Sequence, residues 1–98
     1  MAIIKRINVN KIESTMNKII ELSSKISFLQ EELVHIKSQM DNNKSLLSGG
    51  IISGQTFKGN KRNFERRRKD IIREINQDVK ILLKLSGDAK KDLKTYKL

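Results

Sequence analysis

"IESTMNKIIELSSKISFLQEELVHIKSQMDNNKSLL", residues 12–47, is the stretch whose spacing decides the fold. Ile12, Ile19, Ile26, Leu33, Met40 and Leu47 recur every seven residues, and Leu22, Leu29 and Ile36 each follow one of them by three. A heptad repeat with apolar residues at two positions three apart marks a long helix packed along another helix. No proline interrupts it, so nothing removes a helix hydrogen bond along the way. Asn10 with Glu13 three residues later offers a start signal, and Ser48-Gly49-Gly50 a stop. The spacing therefore predicts a first helix over about 10–47, some 57 Å long at ~1.5 Å per residue, with residues 3–9 as an irregular lead-in.

Beyond it, "SGGIISGQT" (48–56) carries three glycines and reads as a chain-reversing turn, where Ile51 and Ile52 could cover the end of the core. A second helix is expected over about 56–95. Phe57, Phe64, Ile71, Ile72, Ile75, Val79, Leu82, Leu83, Leu85, Ala89, Leu93 and Tyr96 supply its apolar face. Ser86-Gly87-Asp88 is its weak point, where a kink or a break is open. The expected fold is all-α: one domain, 1–98, an antiparallel two-helix hairpin of coiled-coil type. The seam would set Ile12, Ile19, Leu22, Ile26, Leu29, Leu33, Ile36 and Met40 against Ile71, Ile75, Val79, Leu82, Ala89 and Leu93.

Both apolar faces are wider than one seam needs. Those of the second helix span roughly 160° at 100° per residue, and Met16, Ile20 and Val34 widen the first. Further helices would cover the surplus, either from a different protein or from a second copy in a four-helix bundle. Thr15 and Asn43 interrupt the first seam; read as residues near helix ends, both are expected to be solvated.

Composition narrows the function classes. With 98 residues, 37% apolar content and four aromatic side chains, the core is thin and the shape elongated. There is no cysteine, hence no disulfide or thiolate chemistry. The apolar runs fall far short of the ~18–20 residues a membrane span requires, and Met1–Arg6 does not resemble a signal peptide; the chain is expected to be soluble. His35 is the only histidine and lacks the companions a metal site needs. The adjacent Glu31 and Glu32 diverge by about 100° around a helix, which is not the convergent pair that acid–base catalysis uses. "GGIISG" lacks the Gly-Lys-Ser/Thr ending of a phosphate loop. No catalytic, cofactor or metal site is predicted.

The net charge of +10 is uneven. Residues 1–49 carry seven Lys/Arg against five Asp/Glu, and 50–98 carry fourteen against six, giving +2 and +8. Lys61, Arg62, Arg66, Arg67, Lys69 and Arg73, with Arg68, surround Phe64. Such a cluster attracts polyanions, anionic lipid or acidic protein surfaces. A nucleic-acid site of this kind would bind phosphates with a steep salt dependence, but Phe64, its one aromatic, falls in the seam and offers no stacking platform. The basic face is therefore read as solvated or partner-facing, with Glu65 able to pair with Lys69 at i,i+4.

"TFKGNKRNFE" (56–65) carries Phe57-Lys58-Gly59, followed by Phe64 one heptad after Phe57. With the hairpin and a length near a hundred residues, this resembles the WXG family of type VII secretion, in which Trp-x-Gly stands at the turn. It is most similar to the accessory targeting proteins that pair with LXG-domain toxins. The resemblance implies a turn motif at Phe57, Gly59 and Phe64. It also implies a non-catalytic, chaperone-like role binding the helical N-terminal export domain of a secreted toxin, with a second small helical protein as a further partner. The location implied is the cytoplasm of a Gram-positive-type bacterium, with co-secretion alongside the toxin an open route. Two departures matter: Phe replaces Trp, and Tyr96 has only two residues after it, so the family's Tyr-x-x-x-Asp/Glu export signal cannot form. The companion would supply that signal. A basic nucleic-acid- or ribosome-associated hairpin and a homodimeric coiled-coil protein remain the alternatives.

Overall fold

The computed structural model describes residues 9–94, with side chains through Lys91. Two helices, α1 (Val9–Ser48) and α2 (Gly54–Lys94), form an antiparallel hairpin. The direction follows from the cross-helix partners: Asn43 meets Asn60, Glu32 meets Arg67, and Lys25 meets Glu74 and Asp78, so one helix descends as the other rises. A Cα radius of gyration of 22.3 Å, against about 13 Å for a compact domain of this length, makes the chain a rod. Its 16 × 14 Å cross-section has room for two helices and no third layer.

The connection is shorter than the glycine pattern predicts. Gly50 has φ +70°, the left-handed conformation that ends helices. Around it, Ile51 N–H donates to the Leu46 carbonyl (2.9 Å) and Gly50 N–H to that of Leu47 (3.0 Å), the two bonds of a Schellman cap. Three residues later Ser53 caps α2, its hydroxyl accepting the Thr56 N–H at 3.1 Å while its carbonyl accepts from Phe57 N–H at 2.9 Å. The reversal thus occupies Gly49–Ser53, and the expected turn over 48–56 is corrected at its far end. Residues 54–59 are already helical. A serine cap together with packing of the helix face outweighs the roughly 1 kcal/mol that each helical glycine costs. Ile52 is half-buried near the turn, but Ile51 is 73% exposed and is not part of the core.

At the other ends, α1 already includes Val9 and Asn10, so Asn10 is not its cap. The helix α2 runs unbroken through Ser86-Gly87-Asp88. No break occurs there because an isolated glycine lowers helix stability without removing a hydrogen bond.

Candidate helix-partner interface

The seam is built from heptad positions on both helices. Leu29, Ile36 and Ile71 are buried, and Leu33, Met40, Phe64 and Ile75 pack against them half-buried. Ile12, Ile19, Leu22 and Ile26 on α1, and Val79, Leu82 and Ala89 on α2, continue the seam as half-buried residues. The side chain of Leu93 and the whole of Tyr96 lie outside the described residues. Phe57 and Phe64, one heptad apart, are both half-buried.

Gly59 is not a turn residue. It lies in the second turn of α2, does not have positive φ, and a Cβ built on it would meet nothing within 4 Å. Phe57-Lys58-Gly59 therefore opens the second helix just past the reversal. The turn itself uses Gly50, the position where left-handed backbone is required.

Asn43, expected to be solvated, is 4% exposed. Its side chain donates to the Phe57 carbonyl (3.2 Å) and accepts from Asn60 Nδ2 (3.1 Å). Because the connection is tight and α2 begins at Gly54, the second helix covers Asn43 instead of leaving it at a frayed end. Thr15 is half-buried, and its hydroxyl donates to the Lys11 carbonyl at 2.9 Å, satisfying it within its own helix.

Asp78 escaped the sequence reading altogether. It is 5% exposed, at the heptad position shared by Phe57, Phe64, Ile71 and Leu85, and that seven-residue spacing was the signal that would have placed it in the seam. Lys25 Nζ lies 3.3 Å from its Oδ2 and 3.0 Å from Glu74 Oε1, an ion pair with each. The Asp78 contact is ionic without hydrogen-bond geometry, since Oδ2 is buried with no hydrogen-bond partner. The Lys25 ammonium is held above the ordinary lysine value of 10.5, first by Glu74 and then by Asp78, with partial desolvation opposing.

These charges divide the rod into two unlike faces. One groove, of about 510 Å³, is lined by Lys25, Phe28, Leu29, Glu32, Arg67, Asp70, Ile71 and Glu74. Its cations are paired across the seam, Lys25 as above and Arg67 to Glu32 at 3.3 Å; at its edge Arg73 meets Asp70 at 3.8 Å. Glu74 thus serves the opposite helix instead of its own. The other groove, of about 530 Å³, is lined by Leu33, Val34, Lys37, Met40, Asp41, Lys44, Arg68 and Ile72. Val34 is 72% exposed and Ile72 39%. Ile20, two heptads before Val34, and Met16, one turn before Ile20, are also exposed on α1, with Ser27 at the heptad position between Ile20 and Val34.

Lys61, Arg62, Arg66, Arg67, Lys69 and Arg73 are all exposed, as are Arg68 and His35. Among the described residues no three potential ligands gather to hold a metal, and no helix is long and apolar enough to cross a membrane. Comparison of the chain with protein-family models, with curated proteins and with solved structures found no match.

Proposed function

We propose that the chain is a non-catalytic targeting or chaperone-like partner of a type VII secreted toxin, binding the toxin's helical N-terminal export domain in the cytoplasm. The observation that carries this reading is surface left over after the hairpin closes. Val34 and Ile72 stay exposed after the helices pair, beside the apolar floor of Leu33 and Met40, which is how a bundle lacking a helix presents itself. The two-helix architecture, the length and the paired phenylalanines at the start of α2 support the type VII family reading.

Co-expression with an LXG-type toxin's N-terminal domain tests it. A stable 1:1 complex, or a 1:1:1 complex with a second small helical protein, is expected. The absence of any toxin complex, together with RNA binding that survives moderate salt, overturns it in favour of a nucleic-acid-associated hairpin.

A further inference from the structure

The two grooves differ in how their charges are satisfied, and that difference identifies an occupant. In the groove beside Phe28, Lys25 and Arg67 are each matched by acids of the facing helix. In the groove beside Val34, Lys37, Lys44 and Arg68 flank an apolar floor, and Asp41 is the only acid lining it. Among the described residues no acid lies within ion-pair distance of these three cations. An apolar floor of Leu33 and Met40, one heptad apart, is the shape that receives a third helix along an antiparallel pair.

We infer that this groove docks an amphipathic helix of a partner protein, its apolar stripe on Leu33, Val34, Met40 and Ile72 and its acidic flanks facing Lys37, Lys44 and Arg68. The inference rests on the partner reading above and adds the surface used and the chemistry recognised. The floor sets the length, since Leu33 to Met40 is one heptad, about two helical turns. A second copy of the chain is the wrong partner, because it brings a net charge of +10 against the same cations.

Two experiments test this, and together they separate it from the toxin reading. The chain contains no cysteine, so Val34→Cys and Phe28→Cys each give a single labelling site, one on each face. In complex with the toxin's N-terminal domain, thiol labelling at position 34 slows by at least about tenfold and labelling at 28 is unchanged. Protection at 28 instead of 34 leaves the toxin reading standing and removes the groove. The second probe is a pair of synthetic amphipathic helical peptides sharing one leucine stripe, flanked by glutamates in one and by lysines in the other. The wild-type chain binds the glutamate peptide about tenfold more tightly, as expected for three surface ion pairs. Lys37→Glu with Lys44→Glu and Arg68→Glu reverses that preference, and Val34→Asp with Ile72→Asp weakens both peptides. Preference for the glutamate peptide without any toxin complex keeps the groove and removes the toxin reading. Equal affinity for the two peptides, binding of neither, or dimerisation of the chain through Val34 overturns the inference.

Discussion

Replacing Asp78 with leucine stabilises the hairpin. The carboxylate is 5% exposed, stands between Ile71 and Leu85 in the heptad, and has a buried oxygen with no hydrogen bond. Its attraction to Lys25 at 3.3 Å is weakened because that ammonium is about half exposed and shared with Glu74. Leucine removes the desolvation penalty and adds an apolar side chain to the seam, which would contribute about 1.5–3 kcal/mol if fully buried. Lys25 keeps its 3.0 Å contact with Glu74 and its access to water, so no charge is stranded. Buried ion pairs exchanged for apolar residues are commonly neutral or stabilising by about 1–4 kcal/mol, and about 1–3 kcal/mol is expected here. For a chain of this size that is a rise in Tm of about 5–15 °C, read by circular dichroism at fixed protein concentration. Asp78→Ala, which leaves a gap in the seam, stabilises less than leucine. A leucine variant that melts more than about 5 °C below wild type refutes the reasoning, because the Lys25–Asp78 contact would then outweigh the burial it requires.

Gly59→Ala raises hairpin stability by about 0.5–1 kcal/mol in urea denaturation, since the position is helical and open; destabilisation would restore Gly59 as a turn or close-approach residue. Changing Arg66, Arg67 and Arg68 to serine leaves the helical circular dichroism signal intact and lowers stability by under about 2 kcal/mol. All three side chains are exposed, and only Arg67 makes a cross-helix pair; collapse of helix content would show the core to be misplaced. The raised Lys25 value sets an alkaline limit. A raised lysine contributes fully below its unfolded value and loses that contribution as pH rises through the folded one. The difference in urea midpoint between wild type and Lys25→Met is therefore constant from pH 7 to about 9.5 and shrinks above about 10.5. Shrinkage already between pH 7 and 9 would contradict the Glu74–Lys25–Asp78 arrangement.

Much of the architecture was legible because one heptad position of α1 is apolar from Ile12 to Leu47 without a miss, and Leu29 and Ile36, read as seam residues, are among the most buried side chains. Legibility failed where one residue's local preference competes with its surroundings. Gly54 and Gly59 read as punctuation, yet the Ser53 cap and the packing of Phe57 and Phe64 carry the helix through both. Asn43 read as a solvated end residue, but its environment is set by Asn60 and the Phe57 carbonyl, which arrive from the other helix. Asp78 follows the same logic, since only the position of Lys25 across the seam explains an acid among Ile71, Ile75 and Leu82. The contrast between the two grooves was invisible for a related reason. Composition reports the excess of cations, whereas cross-helix geometry decides which of them are already matched.

Sedimentation equilibrium of the chain, alone and mixed with the N-terminal domain of an LXG-type toxin, tests the proposed partner role most directly. If a different helical protein completes this hairpin, the isolated chain has the monomer mass of 11.3 kDa and the mixture contains a heteromeric complex with one copy of it. An isolated chain of twice that mass, persisting unchanged when the toxin domain is added, would contradict the account and assign the open face to a homodimer.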